Sequence, residues 1–312
     1  MAATRIHLTG GLGNQLFQIA AALSQEENGT CTIETALGNP RTSKKGRAEV
    51  FSFKLPSEIH EIRIESRFSH FVSRVVGYGV RKSVVQTRSK RMEISNTLVS
   101  IAIRFVLFFL TGSSQPVFIN PGIGFSQNSV RQRGKYLIGY FQSYVYADKS
   151  KPRLSSIEIP NKGVELTELT LRSNVEQPLV VHFRFGDYLA EKNFGIPSSR
   201  YYEEGIQFLW DRGGFRKIWV FSDDIRMAKE TFPSHLLQHV RWIGEVDDSS
   251  AATLEAMRLG RGYVIANSTF SWCAFLSHNE SAQVVAPTPW FQFGESPRDI
   301  LPNNWTKIRA FD

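Results

Sequence analysis

An α/β protein with a Rossmann-like parallel sheet is what this sequence predicts, and three observations predict it. From residue 179 onward, short apolar runs alternate with helically periodic segments through short loops, the pattern of a parallel sheet covered on both faces. Near the start, Arg5–Thr9 reads as a strand that runs straight into Gly10-Gly11-Leu12-Gly13-Asn14-Gln15 and then into a helix. Polar residues also collect where the expected strands end, the edge at which open α/β sheets bind ligands.

In order, the first strand and glycine turn lead to Leu16, Ile19, Ala20 and Leu23, which share one helical face. Strand, glycine turn and helix start make a geometry that can cradle phosphate, because glycines admit a ligand close to the backbone and the helix start offers free N–H groups. The spacing is neither the dinucleotide fingerprint nor a P-loop, so a plain strand-to-helix turn stays open as an alternative. From Glu34 to Arg91 the pattern is loose, with loops and short helices expected around Phe51, Phe53 and Leu55. Ile94–Leu110 predicts a buried helix, with Leu98, Ile101, Phe105 and Phe108 along one face. Tyr136–Tyr140 is another strand, and a helix is expected through Val164–Leu171.

The regular half follows. Strands are expected at Leu179–Phe183, Lys217–Ser222, His239–Gly244, Gly262–Ala266 and Gln283–Ala286. Helices are expected at Tyr201–Arg212, Ile225–Glu230, Thr253–Leu259 and Phe270–Leu276, with Glu255 on a solvent face. The domains implied are residues 1–165, 166–290, and a tail, 291–312, packing back across them. At the strand ends stand His182, Arg184 and Asp187, then Ser222-Asp223-Asp224, then Asn267-Ser268-Thr269-Phe270-Ser271. An arginine fork suits phosphate oxygens, a carboxylate suits ribose hydroxyls or guanine N–H donors, and hydroxyls suit phosphate. Each also has a plain reading as an ion pair or helix cap. Together they point to a phosphorylated ligand such as a nucleotide.

Composition bounds the rest. Hydrophobic content of 42% with 21% charged residues is that of a globular protein, which excludes disordered and collagen-like classes. The net charge of +8 is concentrated between Arg41 and Arg104, where 14 Lys/Arg face 5 Asp/Glu. A basic surface there suits an anionic membrane, an anionic acceptor or no partner at all; with no nucleic-acid-binding motif in the chain, nucleic acid is not expected. Cys31 and Cys273 are too few for a disulfide framework. With no signal-peptide pattern before the first strand, a cytoplasmic protein is the expectation, with peripheral contact at the inner membrane face left open. The apolar stretch Leu98–Leu110 contains Arg104 and is too short to span a bilayer.

The motifs taken together go further. Gly10-Gly11-Leu12-Gly13-Asn14-Gln15-Leu16-Phe17-Gln18 resembles the opening motif of the α-1,2-fucosyltransferases, and His182-Phe183-Arg184-Phe185-Gly186-Asp187-Tyr188 is similar to their His-x-Arg-Arg-x-Asp motif. Gly139–Ser143, Phe221–Asp224, Asn267–Trp272 and Val284–Phe291 match further segments in the same order. The resemblance implies two Rossmann-like domains facing a cleft, a GT-B-type glycosyltransferase fold, with GDP-fucose on the C-terminal domain and a galactose-terminated acceptor on the N-terminal one.

On that resemblance Arg184 would hold the β-phosphate and neutralise the departing GDP. His182, Gly11, Gly13, Asn14, Ser222, Ser268 and Thr269 would line the donor site, with Asp223 or Asp224 reading ribose or guanine. Inversion would proceed without a cofactor or metal, and the chain has no Asp-x-Asp. Asp187 is the base expected for the acceptor hydroxyl, and Glu191 is its rival. The sequence departs from the family at Phe185, where the second arginine is expected. Strand neighbours face opposite ways, so Arg184 alone can share the donor side with His182. A catalytically silent GDP-sugar- or glycan-binding protein and a protein O-fucosyltransferase remain the alternatives.

Overall fold

A computed structural model describes residues 4–25, 31–34, 41–44, 46–62, 105, 117–120, 124–125, 136–189, 193–293, 296–297 and 299–311. The chain forms two compact units, Met1–Ile157 and Glu158–Asp312. The division falls ahead of residue 165 because the helix Val164–Glu176 is capped from within the second unit.

In the first unit, β1 (Thr4–His7), β2 (Cys31–Glu34), β3 (Ile59–Ile62), β4 (Val117–Ile119) and β5 (Tyr136–Ile138) form one sheet. Its order is β3-β2-β1-β5-β4 and every pairing is parallel. The helix α1 (Leu12–Leu23) follows β1, and each of its residues except Asn14 is buried. A helix that is apolar nearly all round is a core helix. Its two glutamines are tied down: Gln15 bridges Gly10 O, Arg41 O and Val50 N–H, and Gln18 joins Thr9 N–H to Gly139 O. After β5 comes α2 (Tyr144–Leu154), capped by the Ser143 hydroxyl at Val145 N–H. The helix expected over Ile94–Leu110 lies outside the described residues except for helical, exposed Phe105.

The second unit opens with α3 (Val164–Glu176) and then alternates. In turn come β6 (Leu179–Phe183), α4 (Ser199–Trp210), β7 (Ile218–Ser222), α5 (Ile225–Thr231), β8 (Val240–Ile243) and α6 (Ser250–Met257). They are followed by β9 (Gly262–Val264), a 3-10 turn at Ser271–Leu276, β10 (Gln283–Thr288) and β11 (Thr306–Arg309). Read from β8, the parallel sheet runs β8-β7-β6-β9-β10-β11. In order of appearance this is 3-2-1-4-5-6, the doubly wound Rossmann order, in which the direction of winding reverses between β6 and β9.

Two expectations need correcting. The tail beyond residue 290 is not just a segment laid over the fold: its β11 is the outermost strand of the second sheet. Half-exposed alternation in Thr-Lys-Ile-Arg suits a short edge strand and gives little apolar signal. Glu255 does not face solvent but is 3% exposed on α6, paired with buried Arg258 at 2.7 Å and bonded to His278 at 2.9 Å. Burial alone would raise its pKa, yet the bonds to His278 and Arg258 lower it overall, so the carboxylate stays ionised.

Candidate functional site

The strand β6 is five buried residues, and the chain's alternation continues past its end. Phe183 and Phe185 turn into the core with their rings stacked at 5.9 Å, and Phe185 is 2% exposed. His182 and Arg184 take the other side. Arg184 keeps a side chain 21% exposed and meets Asp223 at 3.1 Å. The other Asp223 oxygen accepts Phe185 N–H at 3.0 Å, so one carboxylate from the end of β7 fixes both the guanidinium and the turn carrying it. Gly186 makes room for this: a Cβ there would stand 2.5 Å from the Asp223 Oδ2 atom.

His182 is 4% exposed, and its Nδ1 bonds the buried hydroxyl of Ser271 just beyond the end of β9. Burial, reinforced by neighbouring Arg184, drives its pKa down to about 3, so the imidazole is neutral at physiological pH. Its backbone carbonyl accepts from the Tyr202 hydroxyl at 3.2 Å. Ser271 belongs to the hydroxyl cluster expected after β9, but its partnership with His182, 89 residues away, comes only from the fold.

The remaining expected residues sort by geometry. Ser222 is spent on its own turn, with its hydroxyl donating to Asp224 O and accepting from Asp224 N–H, both at 3.0 Å. Asp224 caps α5 by accepting Met227 N–H at 3.0 Å through Oδ1. Ser268 is buried and accepts Phe270 N–H at 3.2 Å, while Thr269 is half-buried beside it. Asp187 stands in the 3-10 turn Gly186–Leu189 directly after Arg184's segment, and Glu191 lies outside the described residues.

Asn267 does something the sequence did not announce. Its buried side-chain amide donates to Phe194 O, Gly195 O and Trp290 O at 2.8–3.2 Å, and its backbone carbonyl accepts from the Tyr188 hydroxyl at 2.9 Å. The loops flanking the winding reversal are therefore tied to the end of β9.

The glycine turn of the first unit is a structural joint whose helix start is already occupied. The backbone N–H of Leu12 donates to the carboxylate of Glu49 at 2.9 Å, and Gly13 is buried within the first turn of α1. That carboxylate satisfies one of the free donors of the helix start, so a phosphate expected at Gly11 and Gly13 would meet a negative group beside it. The sequence motif hid this because Glu49 lies 37 residues away.

The second unit thus offers a partly exposed arginine held by a carboxylate, a neutral buried histidine and two hydroxyl-bearing residues, all at the carboxyl edge of β6, β7 and β9. A family model described as glycosyl transferase family 11 matches residues 125–309, more than half of the chain. The chain belongs to glycosyl transferase family 11. This family-11 chain is 26% identical over 312 residues to an alpha-1,2-colitosyltransferase of Escherichia coli, covering 96% of this chain and 97% of that protein. It is 26% identical over 326 residues to the O-antigen biosynthesis glycosyltransferase WbnK of Escherichia coli, covering 96% and 99%. The solved structure of the E. coli ADP-heptose lps heptosyltransferase II matches with a TM-score of 0.50 at 9% identity, covering 100% of this chain and 92% of that one. That last likeness is one of fold: this family-11 glycosyltransferase has the α/β, two-Rossmann architecture of the GT-B type.

Proposed function

We propose that this glycosyltransferase moves L-fucose from GDP-fucose, with inversion, to a galactoside hydroxyl in α-1,2 linkage within a glycan or surface polysaccharide. The observation that carries the reading is Arg184, half-open at the winding reversal of a Rossmann sheet and oriented by Asp223. As the glycosidic bond to the diphosphate breaks, negative charge grows on GDP. A guanidinium already fixed at that position stabilises it without reorganising, which is often the largest catalytic contribution. In this reading the charge is met by Arg184 rather than by a metal, and no cofactor takes part.

His182 contributes as a neutral hydrogen-bonding group, and Ser268 and Thr269 serve phosphate oxygens. Asp223 is committed to Arg184, so Asp224, whose Oδ2 has no partner among the described residues, is the carboxylate that reads ribose or guanine. We assign the acceptor proton to Asp187, with Glu191 as the alternative. The α-1,2 linkage is supported by the name of the colitosyltransferase relative. That name also favours a second reading of the donor sugar, since colitose is fucose without its 3-hydroxyl.

Product analysis by mass spectrometry with GDP-fucose, GDP-colitose and a galactoside panel tests the function. Transfer from either donor supports it, and the preferred donor decides between the two sugars. Tight GDP-fucose binding with no transfer to any galactoside would make the protein a silent binder instead. In the active enzyme, Arg184→Ala is expected to lose about a hundredfold or more in kcat/KM. Near-normal turnover in that variant would remove Arg184 from the chemistry.

A further inference from the structure

The first unit has a winding reversal of its own, between β1 and β5, and two amide side chains meet there. The Asn14 Oδ1 atom accepts from the Gln142 Nε2 group at 2.8 Å. Asn14 is the one residue of α1 that is not buried. Gln142 is only 8% exposed, yet its Oε1 has no partner among the described residues, and neither has the Nδ2 of Asn14. Each amide is thus half used by the other, leaving the NH2 group of Asn14 and the C=O acceptor of Gln142 unclaimed side by side.

The backbone is shaped to keep them so. Gly10 has φ +73, and a Cβ on it would lie 2.6 Å from the Nδ2 of Asn14. Phe141, at φ 52 and fully buried, holds the turn that presents Gln142. A non-glycine residue in the left-handed region persists only where its surroundings over-determine it.

From this geometry we infer that Asn14 and Gln142 form a carbohydrate-reading pair, which binds a vicinal diol of the neutral acceptor sugar and not the donor diphosphate. The inference rests on the glycosyltransferase reading above, and it moves Asn14 from the donor site, where the family resemblance puts it, to the acceptor. A sugar hydroxyl both donates and accepts, so an adjacent donor and acceptor satisfy two neighbouring hydroxyls at once. A diphosphate offers acceptors only and would leave the Gln142 Oε1 facing an anion. The nearby charges offset one another and select no ion: Glu49 holds Leu12 N–H, and the Arg41 guanidinium, 3.9 Å from where a Gly11 Cβ would stand, supplies the opposite sign.

Asn14→Asp is the incisive variant, because it keeps the oxygen that accepts from Gln142 and removes the outward N–H donor. We expect the KM for a methyl β-galactoside acceptor to rise about tenfold, the scale of one hydrogen bond with its partner left unpaired. The KM for GDP-fucose and its slow hydrolysis without acceptor should stay within about twofold of the unmodified enzyme. Gln142→Met, similar in volume but without the Oε1 atom, should give the same split. A rise in donor KM with acceptor KM unchanged, or no change in either, overturns the inference. If the protein transfers from no GDP-sugar, saturation-transfer NMR with methyl β-galactoside still decides. Binding seen with the unmodified chain and lost in Asn14→Asp supports the pair; binding that is absent from the unmodified chain, or equal in both, refutes it.

Discussion

Arg184 is effective only as far as Asp223 and Gly186 hold it. Asp223 spans Arg184 and the backbone N–H of Phe185, and Gly186 leaves the carboxylate its space. Gly186→Ala should therefore act like a mild Asp223→Ala, raising donor KM through a displaced carboxylate while acceptor KM holds. Equal effects on both constants would point to general misfolding. At the neighbouring position, Phe185→Arg restores the double arginine of the resembled motif, but the residue points into the aromatic core beside Phe183. A charge buried there unpaired should destabilise the second unit by roughly 3 kcal/mol or more with no gain in turnover, measurable by urea denaturation. Strand alternation made this orientation legible in the sequence. The partnership of Arg184 with Asp223 was not, because both acidic residues after β7 look alike until the fold gives one to the arginine and the other to a helix cap.

Among the elements, α3 shows how long-range capping escapes a sequence reading. It lacks a side-chain cap from its own N-cap residue, Gly163. Asp247, from the turn after β8, accepts Glu165 N–H and Leu166 N–H at 3.1 Å each, while Glu165 accepts Asp247 N–H in return. A Cβ on Gly163 would collide with that carboxylate at 2.3 Å. Asp247→Ala should cost about 1 kcal/mol, the usual worth of a helix cap, and Gly163→Ala should lower the thermal midpoint comparably. A melting curve unmoved by both would deny the cap any energetic role. The same limit explains the unseen strands. Cys-Thr-Ile-Glu, Ile-His-Glu-Ile and Thr-Lys-Ile-Arg are four-residue strands with too few apolar positions to establish a period, whereas the five-residue runs of β6 and β7 are buried throughout and stood out.

At the scale of the molecule, both units repeat one arrangement: a parallel sheet, a winding reversal, and polar side chains at the strand ends there. The second unit was readable because its strands and helices alternate regularly; the first was not, because long irregular stretches separate its strands. Each sheet also buries one histidine near its reversal, His7 on β1 and His182 on β6, and burial drives each pKa down to about 3. An unfolded histidine titrates near its ordinary value of 6.5. Below that value the unfolded chain binds protons that the folded chain refuses, so the stability these residues contribute is complete above about pH 6.5 and is lost as pH falls toward 3. The slope approaches about 1.4 kcal/mol per pH unit for each histidine. Urea unfolding followed from about pH 7 to about pH 5 should show this decline. His7→Gln should flatten it in the transition of the first unit and leave that of the second unit unchanged. A steep acid loss that survives in His7→Gln would mean that His7 already carries its proton in the folded chain.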